Sequence, residues 1–190
     1  MEILDARTHR PLEGGPTFPL KFLVIRTLWD VTWLLLGAWT PPPLFGWRRF
    51  LLRSFGAKIS STALIFGSAR IWYPANTEIG NHVYIGRHAI IYSMAKITLD
   101  DNTVISYGAH LCTGTHDIDS PYFQTVAKPI RIKARAWVAA KAFVGPGITV
   151  GEGAVLGARG VAFYDLEPWT VYAGNPAKPI KVRKIRFDKT

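Results

Sequence analysis

An all-β solenoid is what this sequence predicts: a parallel β-helix of hexapeptide repeats with an N-terminal helical cap and one protruding loop. Three observations predict it. Aliphatic residues step by six from Ile59 to Ala162, small or β-branched residues follow most of them four places later, and glycines sit beside the aliphatics.

The steps run Ile59, Ile65, Ile71, then Ile79, Ile85, Ile91, Ile97. After short phase shifts they resume as Leu99, Ile105, Leu111, and later as Ile132, Val138, Val144, Val150, Leu156, Ala162. The second register reads Ala63, Ala69, Ala75, Val83, Ala89, Ala95, Thr103, Ala109, Thr115, Ala136, Ala142, Ala154. A helix would space apolar residues by three and four, and a half-buried strand by two. A step of six with a second inward position, as in "IGNHVYIGRHAI" and "VGPGITVGEGAVLGAR", means very short strands joined by equally short turns. Each hexad then makes one flat face, and successive coils stack at about 4.8 Å. The open ends of such a stack expose unpaired backbone and apolar side chains and must be capped.

At 190 residues the chain holds one domain with a short appendage, and 48% hydrophobic with 19% charged residues argues against disorder beyond the first dozen positions. Lys and Arg number 23 against 13 Asp and Glu, a formal charge of +10, which favours an anionic partner. The lone Cys112 excludes an intrachain disulfide framework and a cysteine-based structural zinc site, and fits a reducing cytoplasm. The opening "MEILDARTHR" lacks the basic start and early apolar run of a signal peptide.

The organisation read from these patterns is a segment 1–57, a β-helix over 58–172 interrupted by a loop at 116–131, and a basic tail 173–190. Ahead of the repeat, Phe18 to Trp39 reads as a largely apolar helix ended by Pro41, Pro42 and Pro43. Trp47 to Phe55 reads as a second, with Arg48, Arg49 and Arg53 opposite Trp47, Phe50, Leu51 and Phe55. Two roles fit residues 18–55: a cap that plugs the first coil, or a peripheral membrane contact with arginines on anionic headgroups. His82 and His88 occupy one hexad position, as turn residues do.

The repeat breaks at "TGTHD" and resumes at "KPIRIKARAWVAAKAFVGPG"; near the end comes "VYAGNPAKPIKVRKI". With "GWRRFLLRSFGAKI", "ARIWYPANTEIG" and "YGAHLCTGTHD", these stretches resemble the left-handed β-helix sugar O-acetyltransferases. Within them they are most similar to polysaccharide acetyltransferases of the colanic-acid-biosynthesis type. That resemblance implies three hexads per coil, about five coils and left-handed winding. It implies a homotrimer with active sites between subunits and acetyl-CoA as co-substrate, with no metal. The acceptor it implies is a sugar hydroxyl of an exopolysaccharide or lipid-linked oligosaccharide precursor.

Carried over by position, the resemblance makes His116 the general base, since imidazole titrates near neutrality. Asp117 would orient the imidazole or contact the sugar. Ala140 and Ala158 fall where the donor lies along the wall, and Lys178 and Lys181 where basic residues meet the CoA phosphates. Phe163 and Tyr164 stand where relatives often have Thr and Lys. On the acceptor side "IIYSMAKI" offers Tyr92 and Ser93. Cys112 reads as a packing residue, since direct transfer needs no acyl-enzyme. Trp137 is a packing residue or part of the thioester pocket. The clustered tail, Lys178 to Lys189, accounts for much of the positive excess without nucleic acid, for which no binding motif is present. Two other functions share the fold: a γ-type carbonic anhydrase, needing three His around zinc, with only His110 and His116 suitably spaced, and an inert scaffold.

Overall fold

The computed structural model describes residues 2–185; Arg186 and Lys189, read as solvated tail residues, lie outside them. Short parallel strands of two or three residues stack into three faces. Face 1 holds Lys58–Ile59, Thr77–Ile79, Ile97–Leu99, Ile130–Ile132 and Thr149–Val150. Face 2 holds Leu64–Ile65, Tyr84–Ile85, Val104–Ile105, Trp137–Val138, Val155–Leu156 and Thr170–Ala173, and face 3 holds Arg70–Ile71, Ile90–Tyr92, His110–Cys112, Phe143–Val144 and Val161–Ala162. These make five complete turns; a bridge from Val150 to Leu166, with Thr170–Ala173, begins a sixth.

Every stepping aliphatic from Ile59 to Ala162 is buried, forming one continuous core. In the second register Ala63, Ala69, Val83, Ala89, Thr103, Ala109, Ala136, Ala142 and Ala154 are buried as expected. Ala75, Ala95 and Thr115 are not. All three follow a face 3 strand, at the corner leading to face 1. There the first turns carry two residues beyond three hexads: Ile59 pairs with Ile79, twenty positions on, whereas Ile132 pairs with Val150, eighteen on. The extra pair shifts the phase, so Thr77 and Ile97 point inward instead, and Ile130 takes the same place after the longer insertion of the third turn. The turn positions His82 and His88 are left-handed, at φ 53° and 58°, as are Asn102, Arg135, Lys141 and Arg159 at matching corners. Their amides point back to the turn below, as in Arg159 N–H to the Ala140 carbonyl at 2.9 Å.

Stacking has a direction. Each turn donates its N–H groups to carbonyls of the next: Leu64 to Val83, Phe66 to Ile85, Arg70 to Ala89. Along its strands the first turn therefore presents carbonyls at the open end, where nothing in the solenoid can satisfy them. Two helices lie there, α2 (Leu20–Leu36) and α3 (Phe45–Ser54), after a short α1 (Ala6–His9). The expected helices are present, each starting or ending within about three residues of its predicted bounds. The arginines of α3 are tied to the carbonyl edge. Arg53 donates to Ile59 O at 2.6 and 3.0 Å, Arg49 to Ala63 O at 2.8 Å and Arg48 Nε to Ile65 O at 2.5 Å. From α2, Trp33 Nε1 donates to Ala69 O at 3.1 Å and Trp29 Nε1 to Ile71 O at 2.7 Å.

Arg48 is fully buried. Its remaining N–H groups reach Thr40 O and Oγ1, Pro41 O and Pro42 O, and burial together with neighbouring Arg49 lowers its pKa. Of the three arginines read as facing lipid headgroups, Arg48 is withdrawn by its full burial, while Arg49 and Arg53 are anchored to backbone carbonyls and stay partly or wholly exposed. Among the described residues no helix is long and apolar enough to cross a membrane. At the far end, Lys178–Val182, expected as tail, is a strand pairing antiparallel with Thr170–Ala173.

Arg48→Met should destabilise the fold by roughly 3 kcal/mol or more, because it leaves the buried Ile65 carbonyl and the part-buried carbonyls of Thr40, Pro41 and Pro42 without their donor, at about 1–3 kcal/mol for each that water does not reach. Arg48→Lys, with three donors, should fall between, and Trp29→Phe should cost about 1–2 kcal/mol. Urea unfolding midpoints of the three variants check this; an unchanged midpoint for Arg48→Met would refute the capping role.

Candidate functional site

The long interruption leaves the solenoid after Cys112. His110 pairs with Phe143, 33 positions on and 15 more than the 18 separating Phe143 from Val161. The added chain leaves from the expanded corner between faces 3 and 1. It forms an antiparallel hairpin, Gly114–His116 against Thr125–Ala127, returning to face 1 at Ile130. Gly114 lets it leave closely: a Cβ there would lie 2.4 Å from Met94 Sδ and 3.0 Å from Tyr92 Cε1.

His116 ends the first hairpin strand and is exposed; it therefore stands on a projecting arm rather than on the solenoid wall, and not on a face adjacent to that of His110. Its Nδ1 lies 2.9 Å from the Phe123 carbonyl, and its ring stacks on that of Phe123 at 4.7 Å and 25°. A carbonyl can only accept, so Nδ1 carries the proton and the neutral ring keeps its lone pair on Nε2. Asp117 is the next residue, but its carboxylate accepts from Asp119 N–H at 3.2 Å while its own N–H donates to Gln124 O at 2.8 Å. The contact that orients the imidazole comes from a backbone carbonyl, for which no side-chain pattern is a signal. Asp117 lines a polar cavity of about 480 Å³ with Ile3, Asp5, Arg7, Ser120, Tyr122 and Gln124. The first dozen residues, the stretch for which composition left disorder open, supply one wall of it.

Tyr92 lies at the hairpin's base, half-buried beside Trp72 at 5.2 Å, and burial raises its pKa. Ser93 is fully buried and turned into the corner. Its hydroxyl accepts from Tyr73 N–H and donates to Tyr73 O, so it is not offered to a ligand. Cys112 is half-buried with its thiol donating to Gly114 O at 3.3 Å, and burial pushes its pKa up. His110 sits edge-on to Phe143 at 5.3 Å, and burial lowers its pKa. Among the described residues no three His, Cys, Asp or Glu side chains gather as a metal site. Trp137 is outward on face 2, with Nε1 on Ser106 Oγ at 2.8 Å, so it packs outside the core.

The residues expected at the donor do come together. Ala140 and Ala158 stack at the corner between faces 2 and 3, joined through Arg159 N–H to Ala140 O. The "GNPAK" stretch continues that edge: Val161 N–H donates to Gly174 O and Ala177 N–H to Val161 O, both within 2.9 Å. Lys178 and Lys181 follow, exposed, on the closing strand. Within one chain this edge and the His116 hairpin occupy different corners of the prism.

No protein-family model matches the chain. Among curated proteins it is 41% identical over 156 residues to the acetyltransferase WcaF of Escherichia coli (strain K12), a protein named for colanic acid biosynthesis, covering 82% of this chain and 86% of that one. Among solved structures, a hexapeptide-repeat acetyltransferase from Vibrio cholerae complexed with acetyl-coenzyme A superposes with a TM-score of 0.79 at 22% identity, covering 90% and 93% of the two chains. A galactoside acetyltransferase in complex with coenzyme A gives 0.79 at 20% identity, covering 90% and 86%. These structural likenesses carry the fold, a left-handed parallel β-helix. With the sequence match they make the chain a member of the hexapeptide-repeat acetyltransferase family.

Proposed function

We propose that the protein is an acetyl-CoA-dependent O-acetyltransferase whose acceptor is a hydroxyl of a polysaccharide or lipid-linked oligosaccharide precursor on the cytoplasmic side, with His116 as general base. One observation carries the reading: the Phe123 carbonyl holds the Nδ1 proton, leaving Nε2 of an exposed imidazole free to take another. In this mechanism Nε2 removes the acceptor's hydroxyl proton as its oxygen attacks the thioester carbonyl carbon. The tetrahedral adduct collapses with cleavage of the C–S bond, and the imidazolium returns the proton to the leaving thiolate. Products are the acetate ester and CoA thiol, and His116 ends neutral.

The names of relatives support the donor: similar folds are solved with acetyl-coenzyme A and coenzyme A. On this chain the small residues Ala140 and Ala158 would let the pantetheine arm approach the wall, and Lys178 and Lys181 would meet its phosphates. Donor edge and hairpin lie on separate corners, an arrangement a cyclic trimer resolves by setting one chain's His116 against its neighbour's edge. Asp117, Tyr92 and Arg7 are the polar groups near the hairpin available to a sugar.

The exposed side of α2 supports a membrane contact. Leu20, Val24, Leu28, Val31, Leu35 and Trp39 are all exposed at helical spacing. With the three α3 guanidiniums committed to carbonyls, adsorption would rest on apolar area rather than charge.

Three measurements check these statements. His116→Ala should lower acceptor-dependent thiol release from acetyl-CoA by ~100-fold or more, tested over neutral sugars, amino sugars and lipid-linked oligosaccharides; unchanged release would remove His116 as base. Cys112→Ala should retain activity within about threefold, because a thiol raised above its usual range is protonated at neutral pH and no acyl-enzyme is formed; loss of turnover with folding intact would argue for a covalent intermediate. Sedimentation with phosphatidylcholine vesicles, with and without phosphatidylglycerol, should show binding that survives high salt and falls about tenfold or more in Leu28→Ser/Leu35→Ser. Failure of the wild type to bind either vesicle would end the membrane reading.

A further inference from the structure

The residues ahead of α2 are folded against the catalytic hairpin. Leu4 N–H donates to Thr17 O at 3.0 Å, closing the arm on itself, and Phe18 anchors it by packing tilted against Phe22 at 5.0 Å and Trp72 at 5.6 Å. Within the arm, Asp5 caps α1 by accepting from Arg7 N–H at 2.8 Å. Ala6, the first residue of α1, is buried although it lies outside the solenoid core.

Gln124 is what the arm holds. Its Oε1 accepts from Ala6 N–H at 2.6 Å, and its Nε2 donates to Leu4 O at 3.2 Å and to Thr125 O at 2.9 Å. These bonds span 118 and 120 positions and use every hydrogen-bonding group of the amide except extra lone pairs. The preceding residue is Phe123, whose carbonyl receives His116 Nδ1–H and whose ring stacks on the imidazole. Phe123 has φ 52°, a left-handed conformation that costs a bulky residue free energy and persists only where its surroundings enforce it. Ser120 O holds its amide at 3.0 Å on one side, and the Gln124 clamp fixes the chain on the other.

We infer that Gln124, clamped by the backbone of Leu4 and Ala6, is a positioning residue for acetyl transfer: it holds Phe123 in its strained conformation and so keeps the Phe123 carbonyl on His116 Nδ1. The N-terminal arm is thereby part of the catalytic apparatus. This role rests on the reading of His116 as base. Released from the clamp, the Phe123 backbone relaxes, the carbonyl swings off Nδ1, and the neutral imidazole is free to place its proton on Nε2, the position the acceptor hydroxyl needs vacant.

Two substitutions in the full-length protein test this. Gln124→Ala removes the amide. Ala6→Pro removes only the N–H it accepts from, at the first position of a helix, where proline is tolerated, after a residue whose φ −68° and ψ 120° suit a following proline. Each should lower kcat for acetyl transfer about 10- to 100-fold with KM for acetyl-CoA unchanged. The double variant should be no slower than the slower single, because both act through one contact. Carbon and nitrogen NMR of labelled histidine, with His116 assigned against His116→Gln, should show the Nδ1–H tautomer in the wild type and a mixture in both variants.

Wild-type kcat and tautomer in both variants, even with a lowered Tm, would overturn the positioning role while His116→Ala remained inactive. Undiminished transfer by His116→Ala would overturn the base reading and, with it, this role. The tautomer readout needs no acceptor, so the two failures are told apart.

Discussion

The structure depends on how one end of a directional hydrogen-bonded stack is closed. Because each turn donates upward, the first turn is left with carbonyls and no donors to meet them. Arg and Trp side chains carry donors and no acceptors, and five of them, on two helices, meet the carbonyls of Ile59, Ala63, Ile65, Ala69 and Ile71. These are the positions whose counterparts one turn later, Ile79, Val83, Ile85, Ala89 and Ile91, accept amides from the turn below. The cap thus continues the ladder with side chains. Arg48 is the extreme case, a buried cation balanced by carbonyl dipoles with no carboxylate among its hydrogen-bond partners.

This cap also decides what the N-terminal segment shows to its surroundings. Two indole N–H groups and three guanidiniums turn to the carbonyl edge, while one side of α2 keeps its leucines and valines outside. The usual amphipathic arrangement, apolar side in and charged side out, is kept only in part: α2 buries Phe22, Trp29 and Trp33 and exposes Lys21 and Asp30, while Arg48 of α3 is drawn inside because the surface being covered is a row of oxygens. The close fit leaves little room at the junction: a Cβ on Gly67 would lie 2.6 Å from the Ala38 carbonyl at the end of α2.

The hairpin that carries His116 grows from the corner that already departs from the six-residue rule. There Ser93 and Thr113 are buried and spend their hydroxyls on the Tyr73 and Tyr92 backbone, and Asn76 donates to the carbonyls of Ser93 and Met94. These bonds stabilise two extra residues per turn, and at the third turn the same corner accommodates the whole excursion. A rigid base thus carries an exposed histidine, and the tip of the excursion is tied back to the chain's own beginning through Gln124.

The stack of turns was determined by the sequence alone, because inward periodicity is a local property and the core is a repetition of one local pattern. The same is true of the break that announces His116 and of the small residues along the Ala140 and Ala158 edge. Where the periodic reading missed, two inserted residues had shifted the phase at Ala75 and Ala95, and at Thr115 the chain had already left the solenoid, which only the pairing of turns displays. Tertiary structure alone decided the fate of Arg48, Arg49 and Arg53, since a guanidinium on a helix reads the same whether it meets a headgroup or a carbonyl edge. It also turned Ser93 inward and gave the imidazole its partner. The Phe123 carbonyl and the Ala6 amide are backbone groups that every residue possesses, so only folding could assign them to His116 and Gln124.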